Sequence, residues 1–238
     1  MQTYARTLVP VFTLFLMGGC AAGHTANEQA AISAKPEIGM SDSVTSLYEN
    51  AYIHVMRFDV APGVTLPMHE GRKRLVYSLS DYKIAWREAG QPEMEKSWKA
   101  GDVHAHDALE HGLTNVGDTT ASFLVFERSE MALPSPAVAH PKDASEADAG
   151  HAGLVFEDEN YRVVHVHLAP GESQPVHDGG WRAIYSLTDY EIGWQEGDKP
   201  EVSKQWSDGQ VHWHGLGSHR AVNTGNTPAE WLVVTLKQ

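Results

Sequence analysis

The segment Gly101–Asn115 reads GDVHAHDALEHGLTN, and Gly209–Asn223 reads GQVHWHGLGSHRAVN, so three histidines return at the same spacings. The match extends outward from them. Paired against itself, with Glu49 on Glu157 through Val125 on Val233, the chain needs no gap and about 40% of the paired positions are identical. Ala61-Pro62-Gly63 answers Ala169-Pro170-Gly171, Tyr77-Ser78-Leu79 answers Tyr185-Ser186-Leu187, and Asp81-Tyr82 answers Asp189-Tyr190. Trp86 and Trp98 answer Trp194 and Trp206. The chain is an internal duplication.

Within each copy apolar and polar residues alternate in short runs, such as Tyr52–Phe58 and Trp181–Leu187, which is the two-residue period of a strand. Turn signals interrupt the runs at Pro62-Gly63, Ala89-Gly90-Gln91-Pro92, Ala100-Gly101-Asp102 and Asn115-Val116-Gly117-Asp118, with partners in the second copy. No segment carries a long helical period. Each copy therefore predicts an all-β sandwich or small barrel. The expected organisation is an export signal over 1–19, a flexible tether over 20–40, one barrel over 41–129, an Ala/Pro/Ser-rich linker over 130–151, and a second barrel over 152–238.

At 238 residues with 42% hydrophobic content the chain can bury real cores. A net charge of -13, with no run of Lys or Arg, argues against nucleic acid as a partner. The opening MQTYARTLVPVFTLFLMGGCAAG carries Arg6, an apolar stretch from Leu8 to Met17, and small residues before the only cysteine, Cys20. That stretch is about half of the ~20 residues a membrane-crossing helix needs, so it reads as a cleaved signal. Leu16-Met17-Gly18-Gly19-Cys20 resembles a bacterial lipobox, which implies lipid on Cys20 and a membrane anchor. Ala21 does not favour retention at the inner membrane. The expected location is the bacterial cell envelope, at the outer membrane and facing the periplasm.

Two further stretches resemble the sequence motifs of the cupin family: Ala61-Pro62-Gly63 leading to His69, and Gly101-Asp102-Val103 leading to His111 and Asn115-Val116-Gly117-Asp118-Thr119. Copy two matches with Gly171, His177, Gly209, His219, Asn223 and Gly225. The resemblance implies tandem jelly-roll barrels, a bicupin, in which the two barrels pair face to face as an intramolecular pseudo-dimer. In metal-binding cupins the first motif supplies His-x-His and a glutamate, and the second one more histidine. Here Gly71 and Gly179 replace the second histidine, and the glutamate position falls on Arg74 and Arg182.

A guanidinium about 5 Å from a divalent ion, at an effective dielectric near 20, opposes it by ~5–10 kcal/mol. The same group favours an anion, because its planar fork matches a carboxylate or phosphate. The candidate ligand-binding residues are accordingly His69, Arg74, His111, His177, Arg182 and His219. Asp81 and Asp189, or Glu88 and Glu196, are ready ion-pair partners that compete with that reading. His104 and His106, like His212 and His214, lie two apart on a strand and share a face, whose direction the period leaves open. If inward, His69, His104, His106 and His111 form an all-nitrogen site in copy one, and His177, His212, His214 and His219 in copy two. Such sites suit a divalent transition metal such as Zn, Cu, Fe or Ni. His165-Val166-His167 adds a further same-face pair that marks the second barrel as the more reactive.

Three readings of function follow. The first is an exported module that binds a small acidic molecule in His/Arg-lined pockets. The second is a metal-dependent oxygenase, isomerase or lyase of cupin type that uses the barrel histidines as ligands. The third is a structural envelope lipoprotein without catalysis. The aromatics Tyr77, Tyr82, Trp86, Trp98 and their partners read as core and inter-sheet packing.

Overall fold

A computed structural model of the chain describes residues 42–134 and 142–237. The export segment, Cys20 and the tether lie outside the described residues, as do linker residues 135–141 and Gln238. The first copy folds as β1 (Val44–Glu49), β2 (Ile53–Val60), β3 (Thr65–Gly71), β4 (Arg74–Ser78), β5 (Tyr82–Glu88), β6 (Met94–Trp98), β7 (Val103–His106), β8 (Leu109–Asn115) and β9 (Ala121–Arg128). A single helical turn, α1 (Ala144–Ala147), precedes the second copy. That copy folds as β10 (Ala152–Glu157), β11 (Tyr161–Leu168), β12 (His177–Gly179), β13 (Arg182–Ser186), β14 (Tyr190–Glu196), β15 (Val202–Trp206), β16 (Val211–His214), β17 (Gly217–Asn223) and β18 (Ala229–Leu236).

In each copy a five-stranded sheet faces a four-stranded one. Strands β1-β2-β9-β4-β7 oppose β3-β8-β5-β6, and β10-β11-β18-β13-β16 oppose β12-β17-β14-β15. The ladders are antiparallel, and successive strands pass between the sheets as in a jelly roll. Two devices hold the corners. Gly63 and Gly171 take φ of 77° and 82° in the turn after β2 and β11, a conformation that glycine adopts freely. Asn115 donates to the carbonyls of Val60 (2.7 Å) and Thr119 (2.8 Å) and accepts from the Gly117 amide (3.0 Å). Asn223 repeats the pattern with Leu168, Thr227 and Gly225, the backbone role expected of an asparagine before such a turn.

The five-stranded sheets have no solvent face in their centres. Alternate residues of β2, β4 and β9 point into the first barrel, where Phe58, Val60, Val76, Phe123 and Val125 pack with Leu66, Tyr82, Ile84, Trp86 and Leu113 from the opposite sheet. The residues between them point outward. Val55, Leu75, Leu124 and Phe126 meet Tyr161, Val163, Tyr185, Leu232 and Val234 of the second copy in one shared core. The Tyr161 hydroxyl crosses this core to the carbonyls of Lys73 (3.1 Å) and Phe126 (3.2 Å). Tyr52 stacks on Trp213 at 6.0 Å. The two barrels thus form an intramolecular pseudo-dimer through their larger sheets.

Candidate functional site

Strand register decides where the histidines point. Arg74 lies opposite His106 and Val76 opposite His104, so these four share a face, and it is the barrel lumen. Ala105 points the other way, into the shared core, and so does Trp213 between His212 and His214. His69 lies opposite His111 on the facing sheet, their rings 4.2 Å apart. All five polar side chains therefore line one cavity of about 130 Å³. In the second barrel His177, Arg182, His212, His214 and His219 line an equivalent cavity of about 40 Å³. Part of that cavity's wall is Asp143 and Ala144 at the start of α1, which is fixed by the Arg162 guanidinium on Asp143 at 2.6 Å.

The indoles are part of this site rather than only core packing. Trp98 stacks on His104 at 3.7 Å, and Trp86 stacks on His106 and on His111 at 4.8 and 4.9 Å. Trp206 stacks on His212 and Trp194 on His219, while Trp194 meets His214 at a tilt of 42°. Nδ1 of His69 lies 2.8 Å from the Pro67 carbonyl and that of His111 3.1 Å from the Leu109 carbonyl. A carbonyl only accepts, so Nδ1 carries a proton, which in the neutral ring leaves the lone pair on Nε2. Burial and the nearby Arg74 push His106 and His111 down to about 3; burial and Lys96 push His104 to about 4. Burial and Arg182 take His219 down to about 2. These imidazoles are neutral at pH 7, and the positive charge of the site belongs to other groups.

Those groups are Arg74 and Arg182, 4% and 3% exposed. Arg74 gives Nη1 to the carbonyls of Arg72 (3.0 Å) and Asp107 (3.3 Å), while its buried Nη2 has no hydrogen-bond partner. Arg182 gives Nη1 to the carbonyls of Gly180 and Gly215, both at 2.9 Å, and its Nη2 lies 3.4 Å from the ring nitrogens of His219. The expected ion pairs do not form. Asp81 and Asp189 instead accept from the amides of Ala100 (2.9 Å) and Asp208 (2.8 Å), and Glu196 pairs with Lys199. Glu88 lies 3.4 Å from the Trp86 indole nitrogen, and Glu127, opposite Arg74, lies 3.6 Å from Arg72. Among the described residues neither luminal arginine has a carboxylate within ion-pair distance.

The cupin fold commonly carries a metal, and the residues here do not fit one. Among the described residues no three His, Cys, Asp or Glu side chains converge as ligands: His69, His104, His106 and His111, and His177, His212, His214 and His219, line their lumens without meeting at one point in this structure. The two departures from the family pattern have one physical cause. A Cβ on Gly71 would lie 2.5 Å from both Arg74 Nη1 and His111 Cε1, and one on Gly179 would overlap the Arg182 guanidinium. The arginine side chain fills the space that a side chain at Gly71 or Gly179 would need. A guanidinium packed against His219 also repels any divalent ion that the ring would bind.

Two lumen residues escaped the sequence analysis. Lys96 and Lys204 sit on β6 and β15 with their ammonium groups 5.4 Å and 4.8 Å from the rings of Trp86 and Trp194, and both line the cavities. Their signal was present: each lysine persists between copies while its neighbours Glu95 and Ser97 become Ser203 and Gln205. The His165/His167 pair corrects a further expectation. Val166 points inward, and the two histidines lie on the outer surface against Glu230 at 3.3 and 3.2 Å. They add nothing to the second lumen.

No protein-family model and no curated protein sequence matches this chain. Solved structures are similar to it. AerE from Microcystis aeruginosa is similar over 82% of this chain and 98% of its own, with TM-score 0.58 and 16% identity. A Lactobacillus farciminis oxalate decarboxylase in complex with formate is similar over 84% and 85%, with TM-score 0.59 and 12% identity. The Bacillus subtilis oxalate decarboxylase, in a structure concerned with its Mn(II) centres, is similar over 84% and 76%, with TM-score 0.56 and 10% identity. Identities this low carry the fold and leave the chemistry to the site. The chain has a cupin-type fold of two jelly-roll barrels.

Proposed function

We propose that this protein is exported, anchored to a bacterial envelope membrane through lipid on Cys20, and binds a small acidic molecule in its His/Arg-lined pockets. One observation carries the binding: the Arg74 guanidinium is buried in a cavity with an unpaired Nη2 and no carboxylate within ion-pair distance, the lining Glu127 being paired with Arg72. A buried charge left unpaired costs several kcal/mol, and an anionic ligand offsets that cost with charge-assisted hydrogen bonds. A similar structure is that of an oxalate decarboxylase in complex with formate, a small carboxylate. A purely structural role leaves the luminal guanidinium without a function, and the donor geometry does not favour a metal enzyme.

Thermal shift of the mature protein against a panel of carboxylates and sugar acids tests the reading. A ligand at a hundred times its Kd adds about 2.7 kcal/mol to apparent stability. Arg74→Gln is expected to remove the shift, and acids that stabilise that variant as well as the wild type would refute the pocket. The anchor is tested by expressing the full chain with Cys20→Ala, which should move the protein out of the membrane fraction.

A further inference from the structure

The two cavities share their polar residues and differ in the rest. In the first, Leu66 lies opposite Leu113 on β3 and β8, and Phe58 stacks on Phe123 at 5.0 Å, so one end is apolar throughout. In the second the counterparts of Leu66 and Leu113 are Gln174 and Ala221, and the cavity shrinks from about 130 to about 40 Å³. Arg74 keeps an unpaired Nη2, whereas both terminal nitrogens of Arg182 have contacts. The cations of the first cavity gather around one indole, with Arg74 Cζ 5.9 Å and Lys96 Nζ 5.4 Å from the Trp86 ring. The unpaired Nε1 of Trp98 is a further donor on the lining of this cavity.

We infer that the first barrel takes a carboxylate carried on a compact apolar body, a branched-chain or monocyclic aromatic acid of roughly six to ten non-hydrogen atoms, and that the second barrel does not take it. This rests on the acidic-ligand reading above and narrows it. The size follows because an apolar cavity of about 150 Å³ accommodates a benzene ring. The amphiphilic character follows from the division of the lining. A small, wholly polar dianion would set its second carboxylate against Leu66, Leu113 and Phe58, where nothing replaces its water. An apolar body covers that end and leaves the single carboxylate with Arg74.

Titration calorimetry on the mature protein, with benzoate, phenylacetate and 3-methylbutanoate set against malonate, oxalate and neutral benzamide, tests the inference. The apolar acids are expected to bind one per chain, about 10-fold or more tighter than the dianions, and to weaken about 10-fold or more in Arg74→Gln. Replacing Leu66→Gln and Leu113→Ala copies a pair that the second barrel already folds with, and should erase the preference for the apolar acids. Should Arg74→Gln not fold, Arg74→Lys keeps the charge, loses the two-pronged geometry, and should still weaken binding several-fold. Malonate or oxalate binding as tightly as benzoate, or two apolar acids per chain, would overturn this inference and leave the acidic-ligand reading intact. Benzamide binding as well as benzoate, or no acid binding at all, would overturn both.

Discussion

Gly179→Ala tests whether arginine and glycine are one unit in the barrel wall. The new methyl lies inside van der Waals contact of Arg182 Nη1 and Cζ, and 2.7 Å from Nη2. At 3% exposure the guanidinium cannot move aside into water, and any shift breaks its hydrogen bonds to the Gly180 and Gly215 carbonyls. Hydrogen bonds to a charged group contribute about 1.5–3 kcal/mol each, and the loss of glycine's flexibility in the unfolded chain returns about 0.4–1 kcal/mol. The single variant should therefore lose about 2–4 kcal/mol. In an Arg182→Ala background the methyl enters vacated space, and the same change should be neutral or slightly stabilising. The cycle then shows a coupling of at least about 2–4 kcal/mol, read from urea midpoints at constant slope. Additivity within ~0.5 kcal/mol would refute the claim that the guanidinium fills the space that a side chain at Gly179 would need.

Acid should destabilise the protein more steeply than its carboxylates alone require. His104, His106, His111, His212, His214 and His219 all have folded values lowered to between about 2 and 4 by burial and neighbouring cations. The unfolded chain takes up protons near 6.5 while the folded one does not, so this stability is complete above 6.5 and is lost as pH falls toward the folded values. Together the six can account for up to about 7 kcal/mol between pH 7 and 5.5. Urea midpoints that stay flat over that interval would contradict it. Asn115→Ala removes three buried hydrogen bonds to backbone and should cost about 2–4 kcal/mol, measured by the same titration. The halves, expressed apart, should associate when mixed or aggregate alone, because each exposes its share of the common core; two soluble monomers that ignore each other in sedimentation would contradict the shared core. Elemental analysis of the purified mature protein should find no stoichiometric transition metal, and one equivalent that disappears in His111→Ala would reverse the conclusion on the donor set.

Much of the architecture was legible because duplication makes each half a check on the other. A strand period two residues long, punctuated by paired Pro-Gly and Asn-x-Gly turns, leaves few alternatives to twin barrels. The direction of His104 and His106 was not legible, because period two says that residues share a face without saying which. Their surroundings were not legible for a related reason: composition counts imidazoles, and only packing reveals that indoles stack on them. The Arg74 and Arg182 substitutions were visible, yet their dependence on Gly71 and Gly179 required the guanidinium position. Lys96 and Lys204 were missed because a lysine on a short strand between polar neighbours reads as surface, although its persistence across the duplication was there to see. His165 and His167 misled because same-face spacing looks alike on either wall of a barrel.

The buried inner sheet also constrains how such a pocket can diverge. A position on β4 or β9 answers either to the lumen or to the other barrel, so neither side can grow or shrink freely. Between the copies the cross-strand pair Phe58 and Phe123 becomes Val166 and Trp231, one residue losing bulk as its partner gains it. On the outer sheet Leu66 and Leu113 become Gln174 and Ala221 with no such compensation. New specificities in a fused barrel pair should therefore arise by drift along the solvent-backed wall, while the wall between the barrels records only exchanges at constant volume.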